Sequence, residues 1–344
     1  MKKTQTMEKT KITWALGVSL FAFLLLTDSI IAQYTDVINS NRPGASVSAY
    51  AVGRNVLQFE TALDYTNRKW DTPDSKSNEF GLDLAIRYGL LFEPLEIIYE
   101  GNYAKNTYTL NDNKVKGTDF TKNRIGFKYL VYDRYKNPER NKPNLLSWRA
   151  NNVFQLRNLI PSVSVYAGAN YIFDDNPYFP TDLYGFSPRA GINTQSRLTP
   201  RSVLITNISY DHIGTDFTQW EYIVSYTRAF RNPKWSAFME YQGINGELFK
   251  DNFFRVGSAY LFKEDLQFDA QLSTNFKTGR QIYSGSIGVS YRLDNHVDRP
   301  MPIEDQDAEF DGGPIKKNSM KKKGKKKKKG KKNKKQKDNG AIDF

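Results

Sequence analysis

The stretch Ile282–Leu293, IYSGSIGVSYRL, alternates between two kinds of residue. Its odd positions are apolar or aromatic apart from Gly285, whereas its even positions from Ser284 onward are serine, glycine and arginine. A β-strand directs successive side chains to opposite faces, so this segment has one apolar side and one polar side. In a soluble sandwich the apolar side faces a core, whereas in an outer-membrane barrel it faces lipid and the polar side faces the lumen.

The first 32 residues predict an export signal. An uncharged run over residues 12–26 follows four lysines, Lys2, Lys3, Lys9 and Lys11. The segment that comes after it ends at the small residue Ala32, where a signal peptidase could cleave. This order of basic, apolar and small residues is typical of a secretory signal. The alternative, a membrane anchor, requires about 20 apolar residues, which is longer than this run.

Composition narrows the class of the exported chain. It has no cysteine, which excludes disulfides and thiolate chemistry, and it has 21 Tyr, 22 Phe and 5 Trp. After residue 32 no apolar run approaches 18 residues, so no transmembrane helix is expected. The chain has a net charge of +13, of which residues 1–32 contribute +2 and residues 316–344 contribute +13, so residues 33–315 carry −2. An aromatic-rich exported chain of this kind favours an outer-membrane barrel.

The alternating pattern repeats along the chain. Residues 33–55 are irregular and predict a periplasmic lead-in or a plug of the lumen. Residues 56–293 then predict an all-β, antiparallel up-and-down transmembrane barrel of about twelve strands. The predicted strands are 57–65, 79–88, 95–103, 124–131, 163–171, 188–198, 202–211, 219–230, 235–243, 252–262, 265–274 and 282–293.

The connections support a barrel over an immunoglobulin-like sandwich. Polar residues at 67–78 and 105–119 predict long outer loops, and most later connections alternate between long and short. This alternation is expected of outer-membrane barrels, whereas a sandwich gives no reason for it. The insert at 132–161 is the exception. Its second half has helical spacing, which predicts a short amphipathic periplasmic helix near 145–160, with an extra strand around Val153 as the alternative.

Charged side chains of both signs fall on the predicted inner face. Either they fill a narrow barrel as ion pairs, because buried charges must be paired, or they line a polar conduit. A filled or gated lumen is favoured over an open one. The predicted lumen-lining residues are Glu60, Asp64, Asp83, Arg87, Glu96, Glu100, Arg124, Lys128, Arg189, Arg197, Glu221, Glu240, Arg255, Asp269 and Arg292.

Three stretches resemble a known family. Residues 35–46 (TDVINSNRPGAS) and 52–60 (VGRNVLQFE) are similar to the opening of an outer-membrane transporter family related to the MetA pathway of phenol degradation, which has many Bacteroidota members. Residues 160–171 (IPSVSVYAGANY) are similar to its mid-chain strand, although Phe173-Asp174-Asp175 stands where the family has a Pro-Thr-Gly type of sequence. The resemblance implies a barrel that moves small molecules, apolar ones among them, and identifies no substrate.

Catalysis is not expected. Barrel phospholipases need a histidine beside a serine, and the two histidines, His212 and His296, are predicted on opposite sides of the membrane outside any His-x-Ser-Asn pattern. The sequence has no metal-ligand cluster and no phosphate-binding loop, so neither a metal, a nucleotide nor another cofactor is predicted.

The tail, residues 294–344, is predicted to be disordered and periplasmic. An acidic stretch precedes a lysine block, and blocks of like charge extend and act as interaction tails. Behind an export signal its partners would be peptidoglycan or an acidic periplasmic protein rather than nucleic acid; a solvated tail without a partner is the alternative. The polyanion-binding residues would be Lys321, Lys322, Lys323, Lys325, Lys326, Lys327, Lys328, Lys329, Lys331, Lys332, Lys334 and Lys335.

These observations predict a passive or gated channel for small molecules in the outer membrane. The alternative is a non-transporting component of an outer-membrane protein assembly, anchored in lipid by the barrel and tethered through its tail. The sequence identifies neither the solute nor the partner.

Overall fold

The computed structural model describes residues 37–137 and 145–296. The predicted export signal, the lysine block and most of the tail lie outside these residues. The described part forms a closed barrel of twelve antiparallel strands, which confirms the predicted fold class. Each strand pairs with its neighbours in the sequence, and β1 closes the barrel on β12 from Val56 opposite Asp294 to Trp70 opposite Arg280.

The strands are β1 (Val56–Asp71), β2 (Asp74–Gly89), β3 (Leu95–Leu110), β4 (Asn113–Tyr132), β5 (Ser162–Ile172), β6 (Gly185–Thr199), β7 (Ser202–Asp211), β8 (Gln219–Ala229), β9 (Trp235–Gly246), β10 (Lys250–Lys263), β11 (Leu266–Asn275) and β12 (Arg280–Asp294). We call the end where β1 begins and β12 finishes the terminal end, and the opposite end the loop end.

The wall is polar inside and apolar outside. Outward side chains such as Leu63, Phe80 and Ile287 are 65–74% exposed, whereas inward charged residues such as Glu60 and Arg87 are buried. This arrangement is the reverse of a soluble protein and follows from the two-residue period of the strands. Among the described residues no helix is both long and apolar enough to cross a membrane.

The first four strands differ from the prediction. Residues 67–78 and 105–119 were expected to form loops, but β1 to β4 continue through them to tight two-residue turns at Thr72-Pro73 and Asn111-Asp112. Asn111 and Asp112 both have positive φ, as a tight hairpin turn requires. The polar residues that suggested loops lie on strands of 16–20 residues, longer than the ~9–11 residues that cross a membrane.

The predicted alternation of long and short connections is therefore wrong as a general rule. At the loop end, β5 and β6 are joined by residues 173–184, but β9 and β10 by only residues 247–249. At the terminal end, β8 and β9 are joined by the longer segment 230–234. Loop length follows the need to bridge strand ends, and strands that extend beyond the membrane need little loop.

The insert between β4 and β5 has little regular structure. It contains a five-residue helix, α1 (Trp148–Asn152), and a single 3-10 turn over Leu156–Leu159, so the predicted helix near 145–160 is present but short, and the described residues form no strand around Val153. The Ser196 hydroxyl donates to the Leu159 carbonyl at 3.0 Å. Because Ser196 points to the same side of β6 as the exposed Ile192 and Phe186, the insert lies against the outer face of the barrel.

Residues 37–55, which we call the lumen segment, lie inside the barrel and lead into β1. The segment has no helix or strand, yet Ala49, Tyr50 and Val52 are buried. Ala49 and Tyr50 form a small apolar cluster with Leu130 of β4 and the partly buried Tyr135. The lumen is therefore occupied by the chain's own backbone.

Candidate functional site

Arg42 connects the lumen segment to the wall on both sides of the closure between β1 and β12. Its guanidinium pairs with Asp83 of β2 at 3.2 Å and with Asp269 of β11 at 3.1 Å. It also donates to the Ser286 hydroxyl at 3.3 Å. Gly288 makes room for this side chain, since a Cβ there would lie 2.5 Å from the Arg42 Nε. Arg42 thus clamps the segment to the arc of wall formed by β11, β12, β1 and β2.

The opposite wall holds the backbone of the segment. The Glu240 carboxylate accepts from the amides of Ala45 at 2.9 Å and Ser46 at 3.0 Å, and also pairs with Arg255. The Asn207 side chain accepts from the Val47 amide and donates to the Val47 carbonyl, both at 2.8 Å. Side chains of the wall therefore take the place of strand pairing for an irregular segment, whose buried backbone groups need partners.

A buried charge network lies below the segment at the terminal end. Glu96 pairs with Arg87 at 3.0 Å and with Lys128 at 2.8 Å, and Arg87 also pairs with Glu60 at 3.2 Å. The Lys128 ammonium donates to the carbonyls of Ser48 and Tyr50. All four charged side chains are at most 2% exposed, so the lumen segment completes their hydrogen bonding in place of water.

Tyr50 fastens the segment at the terminal end. Its hydroxyl donates to Asp133 at 3.2 Å and lies 2.8 Å from the Ser162 hydroxyl. Burial, with Asp133 nearby, raises the pKa of Tyr50, so the phenol stays neutral at physiological pH. The guanidinium of Arg197 lies over the rings of both Tyr50 and Tyr135.

Beyond the segment, toward the loop end, lies a chamber of about 230 Å³. Its floor is formed by residues of the lumen segment from Asn41 to Val47. Its walls carry charged, amide, hydroxyl and apolar side chains of strands β1 to β9. The wall residues are Glu60, Asp83, Ala85, Ile98, Glu100, Lys122, Arg124, Tyr166, Arg189, Gly191, Asn193, Asn207, Ser209, Glu221, Ile223 and Gln242.

All fifteen predicted lumen-lining residues lie on the inner face. Ten form ion pairs with one another, namely Glu60, Arg87, Glu96, Lys128, Glu100, Arg124, Arg189, Glu221, Glu240 and Arg255. Asp83 and Asp269 pair with Arg42 instead. Asp64 accepts from Asn102, Arg197 stacks on tyrosines, and Arg292 donates to the Val37 carbonyl.

Several functional residues were not predicted. Arg42 lies in an irregular segment, where no period assigns a side chain to a face. Lys122 was placed before the predicted start of β4, and it pairs with Asp83 at 3.0 Å. Asp211, at the end of β7, forms an ion pair with Arg189. The signal available in the sequence was strand parity. Asp211 already ends the predicted strand 202–211, whereas Lys122 lies two residues before the predicted strand 124–131.

The two histidines lie at opposite ends of the barrel. His296 Nδ1 lies 3.1 Å from the Arg54 carbonyl at the terminal end. His212 Nδ1 lies 2.9 Å from the Ser187 hydroxyl, a contact that the sequence did not predict, and burial lowers the pKa of His212. The neighbouring Asp211 carboxylate is engaged by Arg189 and Asn170, so these contacts do not align a serine, histidine and acid in series. The described residues contain no group of three or more side chains that could bind a metal.

The loop-end mouth is narrowed by residues 173–184. The Tyr178 hydroxyl donates to the Ala104 carbonyl at 3.0 Å, and Asn176 donates to the Phe120 carbonyl at 2.8 Å. Burial raises the pKa of Tyr178 to about 12. This loop therefore folds against the extended inner wall of β3 and β4.

The solved structures that are similar to this chain share little sequence identity with it. An outer-membrane channel from Pseudomonas putida F1 is 11% identical, with 74% of this chain and 100% of that chain covered and a TM-score of 0.44. The Pseudomonas putida toluene transporter TodX is 10% identical, with 77% and 99% covered and a TM-score of 0.38. The translocator domain of the autotransporter NalP from Neisseria meningitidis is 9% identical, with 74% and 90% covered and a TM-score of 0.41.

No curated protein matches the chain significantly. The model of one protein family does match, over residues 40–293, which include the Arg42 clamp, most of the lumen segment and all twelve strands except the last residue of β12. The family is described as "Putative MetA-pathway of phenol degradation", and this chain belongs to it.

Proposed function

We propose that the protein is an outer-membrane channel for small molecules, held closed by its own lumen segment. One observation carries this proposal. Residues 37–55 lie across the lumen and are tied to the wall mainly by side chains, whereas the strands around them pair continuously with one another. The segment can therefore leave its position without breaking the barrel.

The exterior supports a place in the membrane. Apolar and aromatic side chains are exposed around the wall, among them Leu82, Phe127, Ile208, Val224 and Leu272. In water such a surface would be costly, whereas in lipid it is the expected outer face of a barrel. The terminal end, where β1 begins and β12 finishes, would face the periplasm.

The contacts of the segment fit a gate better than a permanent filling. Arg42 is held by Asp83 and Asp269, and Asp83 also pairs with Lys122 at 3.0 Å, so this carboxylate keeps a partner when Arg42 leaves. The apolar cluster of the segment is small, with Ala49, Tyr50 and Leu130 at its centre. A large apolar core would hold the segment permanently, whereas polar contacts can be exchanged for water or solute.

The alternative, an anchor within a protein assembly, is not favoured by the described residues. The insert does expose apolar side chains, with Leu156 78% exposed. It lies against the outer face of β6, however, so lipid accounts for this surface without a protein partner.

Single-channel conductance in planar bilayers tests the proposal. The full-length protein should show a closed state with rare openings, and Arg42→Ala should open more often because the clamp is lost. Silence of an Arg42→Ala protein that migrates as a folded, heat-modifiable barrel would contradict the gate.

A reversible lock provides the matched control. The hydroxyls of Ser40 and Ser290 lie 2.8 Å apart and the chain has no cysteine, so the double variant Ser40→Cys, Ser290→Cys can form a single disulfide. Oxidised protein should lose its openings and a reductant should restore them. Equal conductance in the two redox states would count against movement of the segment.

A further inference from the structure

The charges around the chamber are balanced and individually paired. Four cationic and four anionic side chains line it: Arg42, Lys122, Arg124, Arg189, Glu60, Asp83, Glu100 and Glu221. Each forms an ion pair with an opposite charge, as Arg124 does with Glu100 at 2.6 Å and Arg189 with Glu221 at 2.5 Å. The chamber therefore presents strong local fields without a surplus of either sign.

This balance discriminates against two classes of solute. A charged solute finds no unpaired counter-charge, so it must separate an existing pair or remain unpaired itself, and both are costly. A hydrocarbon removes water from the eight charged groups and returns no hydrogen bonds. An uncharged solute with its own donors and acceptors avoids both costs.

The remaining lining indicates what such a solute would contact. Uncharged polar side chains of the lining include those of Tyr166, Asn193, Asn207, Ser209 and Gln242. Apolar surface comes from Ile223 and neighbouring residues of the lining. At about 230 Å³ the chamber is smaller than the ~300–1,000 Å³ of typical ligand pockets, which limits the solute to about the size of one sugar ring.

We infer that the chamber receives a small uncharged solute with several hydroxyl groups, about the size of one sugar ring. The polar groups of the wall would bind the hydroxyls, and the apolar strips would contact the C–H faces of the ring. This inference rests on the proposed function, since it names the class of molecule that the channel would pass.

Binding to the full-length protein in detergent micelles tests the solute class by isothermal titration calorimetry. Glucose, gluconate and glucosamine share one carbon skeleton and differ in charge, and toluene represents a hydrocarbon. Glucose should bind on the order of tenfold more tightly than either charged analogue, a difference expected of an uncompensated charge in a polar site. Saturable binding of toluene, tighter binding of a charged analogue, or no binding of any of the four would overturn the inference.

Two variants of a single ion pair sharpen the test. Glu100→Gln leaves a surplus positive charge beside Arg124 and Lys122, and should reduce the preference for glucose over gluconate by on the order of tenfold. Arg124→Gln leaves a surplus negative charge, and should reduce the preference for glucose over glucosamine by a similar factor. Arg68→Gln changes a lumen pair with Glu79 that does not line the chamber, and should alter neither preference. If Glu100→Gln and Arg124→Gln shift both charged analogues in the same direction, the balance of charge is not the cause and the inference fails.

Failure of this inference is separable from failure of the proposed function. Selective glucose binding by a protein whose Arg42→Ala variant never conducts would leave the solute class intact and contradict the channel. Conductance through the Arg42→Ala variant with no selective binding would leave the channel intact and overturn the solute class.

Discussion

The two parts of the lumen use the same residue types in different ways. At the terminal end, the side chains of Arg87, Glu96 and Lys128 are fully buried, and the lumen segment supplies carbonyl and amide partners to them. In the chamber, the side chains of Lys122, Glu100 and Arg124 are 16–31% exposed, and they are paired without backbone from the segment. Inward charges alone therefore do not define a pore. Whether such charges line an open space depends on whether solvent or another part of the chain completes their hydrogen bonding.

The largest expected effect comes from breaking the buried network. Glu96→Gln removes the carboxylate shared by Arg87 and Lys128, which leaves two buried cations with Glu60 as the remaining acid. The free energy of unfolding should fall by about 3–5 kcal/mol. Urea unfolding in lipid vesicles measures the loss.

The matched change in the chamber is Glu100→Gln. Because water reaches this pair, it should cost about 1 kcal/mol. If Glu96→Gln and Glu100→Gln lowered the free energy of unfolding equally, the chamber pair would contribute as much to stability as the buried network. The distinction between the two parts of the lumen would then fail.

The next effect concerns the hold of Glu240 on the lumen segment. Glu240→Gln weakens two charge-assisted hydrogen bonds to the amides of Ala45 and Ser46, each worth about 1.5–3 kcal/mol. Hydrogen exchange at these two amides should accelerate while exchange within β9 stays unchanged. Arg255→Gln is the control, because it breaks the ion pair and leaves the carboxylate in place. Slower or unchanged exchange in Glu240→Gln would contradict the anchoring role.

A smaller effect is expected from the two lumen tyrosines. Tyr50→Phe removes a hydroxyl that contacts Asp133 and Ser162, and should cost about 1–2 kcal/mol. Tyr178→Phe, at the loop end, loses a bond to one carbonyl and should cost about 1 kcal/mol or less.

The pH dependence of this pair has a definite sign. Burial raises the pKa of both phenols, that of Tyr178 to about 12, above the ~10 of an unfolded tyrosine. The two phenols therefore stabilise the fold equally at pH 7 and pH 9, and their contribution falls only as the pH rises above about 10. Unfolding measured at pH 7, 9 and 10.5 checks this, and a loss already at pH 9 would mean that a phenol is not buried as described.

The smallest effect is expected for the pair Arg68–Glu79, near the loop end. Their atoms lie 2.9 Å apart, but Arg68 is 26% exposed at its side chain, so water competes for the pair. Arg68→Gln should lower the free energy of unfolding by at most about 1 kcal/mol, and less in high salt. A loss as large as that of Glu96→Gln would mean that burial is not what separates the two kinds of pair.

The strands were predictable because their signal is local. The alternation of apolar and polar residues predicted β5 to β12 as strands of the barrel wall. The even or odd position of each charged residue in its strand assigned all fifteen of them to the inner face. The same reasoning failed at residues 67–78 and 105–119, because a strand that extends beyond lipid carries polar residues on both faces and loses its alternation. The dipeptide Asn111-Asp112, whose residue types tolerate the positive φ that both adopt, was the available signal for a hairpin there.

The clamp and the chamber were not predictable in the same way. Arg42, Asp83 and Asp269 are distant in the sequence, and only the closure of β1 on β12 brings them together. The path of residues 37–55 follows from contacts with seven or more separate strands. These contacts impose no periodic pattern on the sequence of the segment. The chamber exists because residues 41–47 of this path form its floor and leave the lumen beyond them, toward the loop end, unfilled.

The alternating sequence is enough to specify a barrel wall with an apolar outside and a charged inside, because a two-residue period acts between neighbouring residues. Which charges are buried and which remain in contact with solvent depends instead on the closed barrel and on the segment inside it. The physical reason is that an irregular segment has no period of its own: its position is set by the hydrogen bonds that Glu240, Asn207 and Lys128 offer to its backbone from across the closed barrel.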